Sequence, residues 1–439
     1  MNNYEAYKKT DIPWLGKIPS HWETKRNKNL FIGKKEIIGK LYTSTDLLSL
    51  TTKGIKIKNL FSSGGKKPTT YETYQAVEKD ELVLCLFDLD CSAVFSDVSQ
   101  YNGMISPAYN VFKIKNQHEK YFKYLFDYIF QDRTYKIYSK SIRYTITEEN
   151  FNNLETPVPP ISEQIQIANY LDWKINEIDK LILIEKEQIK ELENLKQKYI
   201  DEIYQNIKTK NFISLSKIGT FFKGGGFSRE NLSDSDYGAI LYGDIYTKYN
   251  YFFEECISKI DENAYFNSKC IDGNVVLFTG SGETKEDIGK SVAYVGTKKI
   301  ALGGDIIALK PNKNFFSKFI AYFSNTSNIK AFKHMESTGD IIVHITLGAI
   351  KAIKIPFISV EEQKDIVKKI DEYILNLKNL IALIEDKIKY FLSLKQSLIA
   401  EVVTGKIDVR NITIPQYEKV ETILETDDID GLEVQDYGD

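Results

Sequence analysis

An internal duplication constrains this chain more than any other feature. When Glu163–Gln164 is placed over Glu362–Gln363, an offset of 199 residues (362 − 163), identical residues recur without a gap. The matches extend to both sides of this pair, and they include Pro157 with Pro356, Asp172 with Asp371, and Leu195–Gln197 with Leu394–Gln396. Chance does not give so many matches in one register, so the chain contains the same arrangement twice.

The stretches that follow the two Glu-Gln pairs are predicted to be long helices. Apolar residues recur there in steps of three and four, which is the spacing of a helix that buries one stripe. Pro159–Pro160 precedes the first helix, and Ser359 with Glu362 forms a capping-box pattern for the second. Gly405 is predicted to end the second helix. Each helix covers about 40 residues and is therefore roughly 60 Å long.

A long helix with a single apolar stripe needs a partner to cover that stripe. The segment between the two helices is long enough to bring the chain back, so the nearest partner of each helix is its own duplicate. We therefore predict an antiparallel two-helix coiled coil with one globular domain at each end. The alternative is that each helix packs on its own globular domain.

The two globular segments are predicted to contain more strand than helix. Short apolar runs indicate strands at Glu81–Phe87, Asn110–Ile114, Asn274–Thr279 and Asp305–Leu309. A helix is predicted after each pair of strands, at Glu119–Phe130 and Phe315–Phe323. The predicted fold class is thus α+β, with two mixed α/β domains, each followed by a long helix. These domains match each other far less well than the helices do, as expected of two units that bind different targets.

These patterns divide the chain into five segments. The first globular domain covers residues 1–160, the first helix 161–207, the second globular domain 208–358 and the second helix 359–404. Residues 405–439 are predicted to be a disordered acidic tail, because residues 415–439 carry nine acids and one base, a charge of −8. Residues 1–160 carry 23 bases and 18 acids (+5), and residues 208–355 carry 19 bases and 15 acids (+4). Mild basicity on both globular domains is compatible with a nucleic-acid partner.

Several classes of protein are disfavoured by what the sequence lacks. The chain has no apolar run of membrane-spanning length, and residues 1–10 lack the apolar core of a signal peptide, so we expect a cytoplasmic protein. The four cysteines and four histidines lack metal-ligand spacing, so no metal site is predicted. Gly289–Ser291 resembles the end of a phosphate-binding loop, but Thr284 stands where that loop requires a glycine. The sequence therefore favours a binding protein over an enzyme.

Three phrases resemble those of a known family, the specificity (S) subunits of Type I restriction–modification systems. They are Trp14–Glu23 (WLGKIPSHWE), Pro159–Gln164 (PPISEQ) and Leu394–Asp408 (LKQSLIAEVVTGKID), and together they place nearly the whole chain in the resemblance. The third phrase is the most specific, because it usually closes the second conserved helix of the family. The first helix departs from the pattern, since it ends at residues 203–210 without the Thr-Gly-Lys phrase.

The resemblance implies a DNA-binding subunit without catalytic activity. Each globular domain would be a target-recognition domain that reads one half of an asymmetric, two-part site in double-stranded DNA. The helices would set the unread spacer and would dock two methyltransferase (M) subunits, which use S-adenosylmethionine. Restriction/translocase (R) subunits, which use ATP and Mg2+, would join that core. The chain itself would bind no cofactor.

Candidate DNA-contacting residues follow from side-chain chemistry, since lysine and arginine bind phosphates and base edges are read by hydrogen-bonding side chains. The candidates in the first domain are Lys53, Lys56, Lys58, Lys66, Lys67, Lys140, Arg143 and Tyr144. The candidates in the second domain are Lys223, Arg229, Lys248, Lys285, Lys290 and His344. The two arginines are the favoured base readers, because a guanidinium suits guanine. For any single lysine, the competing interpretation is a solvated surface charge.

Two other functions compete with the specificity subunit. A self-sufficient restriction–modification enzyme would need catalytic domains, for which the chain has no remaining length. A structural coiled-coil adaptor would need neither basic globular domains nor the closing phrase at Leu394–Asp408. The specificity subunit predicts a methyltransferase gene beside this one, whereas the adaptor does not.

Overall fold

The computed structural model describes residues 3–51, 54–58, 70–89, 96–139, 144–339 and 342–420. The chain divides into two compact units. Unit 1 comprises Met1–Glu185 and Asp386–Asp439, and unit 2 comprises Lys186–Glu385. Each unit combines β-sheets with helices, so the predicted α+β class is confirmed.

The first half of the chain ends in a long helix. Its elements are β1 (Tyr7–Lys9), β2 (Lys17–Pro19), β3 (Glu23–Arg26), α1 (Asn27–Leu30), β4 (Phe31–Lys34), β5 (Leu47–Thr51), β6 (Gly54–Lys58), β7 (Gln75–Val77), β8 (Leu82–Leu84), β9 (Ser96–Val98), β10 (Gly103–Ile105), β11 (Asn110–Ile114), α2 (Glu119–Gln131), α3 (Glu148–Asn153), β12 (Glu155–Val158) and α4 (Ile161–Gln205).

The second half repeats this plan. Its elements are β13 (Phe212–Ser214), β14 (Gly219–Lys223), β15 (Ala239–Ile240), α5 (Tyr242–Thr247), β16 (Phe252–Phe253), α6 (Glu262–Phe266), β17 (Cys270–Ile271), β18 (Val275–Thr279), β19 (Ser281–Gly282), β20 (Ser291–Tyr294), β21 (Ile300–Leu302), β22 (Ile306–Pro311), α7 (Ser317–Ser324), α8 (Ser327–Glu336), β23 (Val343–His344), α9 (Leu347–Ala352), β24 (Lys354–Pro356) and α10 (Val360–Val403).

Unit 1 is built on an antiparallel sheet of order β4-β11-β8-β9 and a second sheet of order β6-β5-β10-β7, in which β5 and β10 run parallel. Helix α2 presents an aromatic face to the core, because Phe122, Phe126 and Phe130 recur at every fourth residue. The same core includes Ile178 and Ile182 from α4 and the end of α10. The long helices are therefore part of the fold of this unit.

Unit 2 has the same plan, although its sequence matches that of unit 1 only weakly. Its main sheet has the order β14-β22-β18-β20-β16, and its smaller sheet has the order β15-β21-β17, in which β15 and β21 run parallel. Helix α7 lies against β18 and β20 as α2 lies against β9. Ile200 and Tyr204 from α4 and Val367 and Ile370 from α10 complete the core.

The two long helices pack together within each unit, as predicted. In unit 1, Lys395 bonds to Asp179 at 2.9 Å and Lys387 bonds to Glu185 at 2.6 Å, so residue numbers fall along one helix as they rise along the other. In unit 2, the Tyr199 ring stacks on a ring of α10, that of Tyr373, at 3.8 Å between centroids. The helices thus run antiparallel. The long helices also pack on the globular parts of their units. The alternative prediction, in which each helix packs on its own globular domain, therefore describes a contact that is present as well.

The ends of α10 follow the predicted capping signals. The Glu362 amide donates to the Ser359 hydroxyl at 3.2 Å, and the Glu362 carboxylate accepts from the Ser359 amide at 3.0 Å. After the last turn, Gly405 adopts φ +73° and the Lys406 amide donates to the Glu401 carbonyl at 2.8 Å. A β-carbon at Gly405 would overlap Pro19, so the position requires glycine for space as well as for conformation.

The repeated glutamine has the same role in both units. In unit 1, the Gln164 side-chain oxygen accepts from the backbone amide of His118 at 3.0 Å, just before α2. In unit 2, the Gln363 side-chain oxygen accepts from the backbone amide of Phe316 at 2.9 Å, just before α7. Each glutamine therefore ties the start of a long helix to the start of a shorter one, which explains why this residue recurs in the 199-residue register.

The glutamates before these glutamines differ in their surroundings. Glu362 belongs to the exposed cap of α10, whereas Glu163 is buried in unit 1. The Glu163 carboxylate accepts from the Tyr4 hydroxyl at 2.5 Å and from the Trp22 indole at 2.9 Å, and it contacts the His21 ring at 2.7 Å. Burial and this carboxylate raise the pKa of Tyr4. Glu163 thus anchors the N-terminal segment to α4.

The prediction of a disordered tail from residue 405 is wrong for residues 405–420. Ile407 and Val409 are buried in unit 1, and the Gln166 amide donates to the carbonyls of Val409 at 3.0 Å and Ile412 at 2.8 Å. The acidic residues that suggested disorder lie mostly after residue 420, whereas residues 405–414 contain apolar side chains that can be buried. Residues 421–439 lie outside the described residues.

Candidate functional site

The predicted residues of unit 2 gather around the short helix α5. The Arg229 guanidinium lies against Gly243 near the start of α5, 3.3 Å from the position that a β-carbon would take there. Lys248 caps the end of α5, and the Lys290 ammonium donates to the Tyr246 carbonyl at 3.1 Å. Three basic side chains that are far apart in the sequence thus meet on one element.

A cluster of hydroxyl groups links α5 to His344. The Tyr246 hydroxyl lies 2.7 Å from the Thr279 hydroxyl and donates to the Ser281 carbonyl at 3.1 Å. The Ser281 hydroxyl lies 2.9 Å from Nδ1 of His344, whose ring is exposed. Burial raises the pKa of Tyr246 to about 12, so this phenol stays neutral at physiological pH and keeps both donor and acceptor capacity. Such groups can read base edges.

Two of the predicted lysines in unit 2 are held by protein groups. The Lys248 ammonium lies 2.9 Å from the Asp244 carboxylate and 2.7 Å from the Ser258 hydroxyl, so a phosphate would have to compete with a carboxylate for it. Lys290 is half-buried, and burial lowers its pKa. Lys223, by contrast, is exposed at the end of β14, while Lys285 is half-buried between β19 and β20.

The triple glycine after Lys223 forms a close backbone contact. The Gly224 amide donates to the Ile306 carbonyl at 3.0 Å, and the Gly225 amide donates to the Leu302 carbonyl at 2.9 Å. Gly226 has φ +108° and is packed against Ser268, which leaves no room for a side chain. These glycines therefore fix the strand end that carries Lys223.

In unit 1, the described candidates lie at two separate places. Lys56 and Lys58 lie on β6, which pairs antiparallel with β5. Tyr144 has φ +46°, and the Lys136 ammonium lies 4.2 Å from the centre of its ring. Five other candidates lie outside the described residues, namely Lys53, Lys66, Lys67, Lys140 and Arg143.

Sequence reasoning missed one buried residue beside the site of unit 2. Lys333 on α8 is 1% exposed, and its ammonium donates to the Gly289 carbonyl at 2.7 Å. Burial lowers the pKa of Lys333 to about 7. It therefore holds the segment that precedes Lys290. The residues around it on α8 give no signal that separates it from Lys330, the half-buried lysine of the same helix.

Within the described ranges, no group of three or more metal-ligating side chains could hold a metal ion. Cys256 and Cys270 are free thiols, and burial raises the pKa of Cys256 to about 12. None of the helices in the described part of the chain is long and apolar enough to cross a bilayer.

Comparisons with known proteins agree with this architecture. Residues 207–390 match the family model of the Type I restriction modification DNA specificity domain. The chain is 26% identical over 436 residues to a protein named as the MjaX type I restriction enzyme specificity subunit of Methanocaldococcus jannaschii, covering 92% of this chain and 97% of that one. It is also 26% identical over 148 residues to the EcoKI specificity subunit of Escherichia coli, covering 34% of this chain and 32% of that one.

A solved structure shares the fold. It comes from work on complex assembly and conformational transition of the type I R-M system. The TM-score is 0.60 at 12% identity, and the alignment covers 89% of this chain and 99% of that chain. At this identity the likeness concerns the fold alone.

Proposed function

We propose that this chain reads a two-part, asymmetric DNA site and docks methyltransferase subunits. It belongs to the specificity subunits of Type I restriction–modification systems, a non-catalytic family of DNA-binding proteins. One observation carries this proposal: two units of the same fold differ in the side chains they present, while the helices that join them repeat in one register. Two units that share a fold but present different side chains are suited to reading two different half-sites.

In unit 2, we propose that the cluster around α5 reads bases. Arg229 offers a guanidinium, which pairs with guanine through two parallel hydrogen bonds. His344 and Tyr246 add groups that can donate and accept, and Lys223 is free to bind a phosphate. In unit 1, the corresponding assignment falls on Arg143 and on the lysines of the first domain. The 1–160 and 208–358 segments would then be the two target-recognition domains.

The docking of two identical partners is supported by exposed apolar residues on the long helices. Leu181 and Leu380 occupy the same repeat position (380 − 181 = 199), and they are 44% and 48% exposed. The same holds for Ile184 with Leu383, at 48% and 67%, and for Leu195 with Leu394, at 43% and 41%. Each unit thus carries the same three exposed apolar positions. Exposed apolar residues that recur in register indicate a repeated contact with one kind of partner.

The partners would supply the chemistry that this chain lacks. Two methyltransferase subunits would transfer the methyl group of S-adenosylmethionine, and restriction/translocase subunits would use ATP and Mg2+. The specificity subunit would bring these activities to a chosen sequence of double-stranded DNA, in the cytoplasm. The segments 161–207 and 359–404 would serve as docking surfaces and as the ruler between half-sites.

Reconstitution tests the proposal directly. The purified chain, mixed with its methyltransferase partner and S-adenosylmethionine, should methylate one two-part sequence, and neither protein should do so alone. Arg229→Ala should weaken recognition of one half-site by about 1–3 kcal/mol, and Arg143→Ala should weaken recognition of the other by a similar amount. Equal loss at both half-sites for either variant would contradict the assignment of one unit to one half-site.

The ruler is tested by lengthening both helices together. One heptad is inserted after Glu185 and another after Glu385, at the boundaries of the two units, so that both helices lengthen equally. Seven residues add about 10.5 Å of helix, which corresponds to about three base pairs of DNA. The preferred spacer should lengthen by that amount while both half-sites stay the same, and an unchanged spacer would refute the ruler.

A further inference from the structure

The end of the chain forms a strap on helix α4 in unit 1. We call residues 405–420 the C-terminal strap. Its first half is fixed by Gln166, whose side-chain amide bonds to the carbonyls of Val409 and Ile412. Its second half is fixed by Asn176, which donates to the Glu418 carbonyl at 3.0 Å and accepts from the Val420 amide at 2.8 Å. The strap therefore follows α4 over at least ten residues.

Apolar contacts add to these hydrogen bonds. Ile407 and Val409 are buried, and Ile412 and Ile414 pack against the core of unit 1. Burial raises the pKa of Tyr417, whose ring lies in the second half of the strap. The C-terminal strap is thus a packed part of unit 1.

The repeated helix is not equipped to hold such a strap. The 199-residue register places Asp365 of α10 at the position of Gln166 and Leu375 at the position of Asn176. An aspartate carboxylate cannot donate to a backbone carbonyl, and leucine has no polar group to pair with a strand. Both residues are exposed, and Leu375 is 58% exposed. In the described residues, this face of α10 is open where the face of α4 is covered.

The strap ends on α4 before the exposed apolar residues of unit 1. Asn176 and Ile184 are eight residues apart on this helix, about 12 Å along its axis and about 80° around it. Leu375 and Leu383 have the same relation on α10. Beyond Val420, residues 421–439 contain eight acids and no base. A partner that docks along α4 in unit 1 therefore meets the strap, whereas no strap covers the corresponding stretch of α10 in the described residues.

We propose that the C-terminal strap makes the two methyltransferase docking sites unequal, so that the unit 2 face binds its partner first and more tightly. This inference rests on the proposed docking of methyltransferase subunits on these helices. The partner on unit 1 has to displace the strap or dock beside it, and displacement breaks the bonds of Gln166 and Asn176. We expect the two dissociation constants to differ by at least about tenfold, which corresponds to 1.4 kcal/mol.

The test is a titration of the full chain with its methyltransferase subunit, followed by native mass spectrometry. The unmodified chain should pass through a well-populated one-to-one complex before it binds a second copy. Hydrogen exchange of the one-to-one complex should show protection around Leu380–Leu383 and not around Leu181–Ile184. Two equal affinities, or first protection around Leu181–Ile184, would overturn the proposal.

Three variants assign the cause. Asn176→Leu gives α4 the residue of its repeat, and it should bring the two dissociation constants to within about threefold. Leu375→Asn makes the reverse exchange where no strap is held, and it should leave the difference intact. A chain that ends at Val420 keeps the strap contacts, and it should also keep the difference. If removal of residues 421–439 abolishes the difference, the acidic segment and not the strap is its cause.

These outcomes separate the inference from the function on which it rests. If no form of the chain binds the methyltransferase subunit, the proposed function fails. If all forms bind two copies with the same affinity, the function stands and the strap has no role in docking. Urea unfolding followed by tryptophan fluorescence verifies that each variant retains the fold of unit 1, because Trp14, Trp22 and Trp173 all belong to that unit.

Discussion

A buried lysine gives unit 2 a pH dependence that can be worked out from the structure. Lys333 is 1% exposed, its ammonium donates to the Gly289 carbonyl at 2.7 Å, and burial lowers its pKa from 10.5 to about 7. The charge of Lys330 lowers this pKa further, while Asp287 opposes the effect. Between pH 7 and 10.5 the unfolded chain therefore holds one proton more than the folded unit at this residue. The stability of unit 2 should rise with pH in that window.

The expected slope approaches 1.36 kcal/mol per pH unit, so stability should increase by about 2–3 kcal/mol between pH 7.5 and 9.5. Lys333→Met keeps an unbranched side chain that is one atom shorter, and it removes the titrating group. The variant should lose this increase. Lys330→Met is the control, because it removes a neighbouring charge: the pKa of Lys333 should rise, and the slope should begin at a higher pH without disappearing.

Urea unfolding at several pH values measures these differences. Far-UV circular dichroism follows the whole chain, whereas tryptophan fluorescence follows unit 1 alone, because Trp14, Trp22 and Trp173 all belong to unit 1. The tryptophan signal should therefore show no effect of Lys333→Met. If the variant keeps the pH slope of the unmodified chain, Lys333 is not the group that titrates, and the reasoning from its burial is refuted.

Three further predictions concern groups that the structure pairs closely. Gln164→Ala and Gln363→Ala should each destabilise their own unit by about 1–3 kcal/mol, because a partly buried backbone amide loses its acceptor; in urea unfolding, tryptophan fluorescence should detect the first and not the second. Glu163→Leu should destabilise unit 1 by about 2–3 kcal/mol and change the emission of Trp22, because the indole loses its acceptor; unaltered emission would contradict their hydrogen bond. Tyr246→Phe should destabilise unit 2 by only about 1 kcal/mol but weaken DNA binding at one half-site about tenfold under folding conditions, and equal binding of the two proteins would exclude a reading role.

The helical part of this molecule was predictable because its signals are local. Steps of three and four residues, the capping box at Ser359 and the glycine at 405 all act within one or two turns, and the observed helices Ile161–Gln205 and Val360–Val403 follow them closely. The 199-residue register also pointed to Gln164 and Gln363, whose matching contacts appear only in the structure.

The candidate site was only partly predictable. Side-chain chemistry singled out Arg229, Lys290 and His344, but it could not say that the surroundings of α5 bring them together. Their contacts, with Gly243, Tyr246 and Ser281, join residues 14, 44 and 63 positions apart in the chain. Lys248 was selected for its charge, yet it is held by Asp244. Whether a lysine is free, paired or buried depends on residues that no sequence window contains.

By itself, the sequence determined that the chain is duplicated, that a long helix follows each globular segment, and that the two globular segments differ. Only the tertiary structure decided that the main sheets of both units share the order of four core strands, that Lys333 is buried, and that residues 405–420 cover one helix face and leave its repeat open. The reason is physical. Helical periodicity and caps arise from neighbours a few residues away, whereas strand order, burial and the path of a terminal segment depend on which distant surfaces meet in the folded chain.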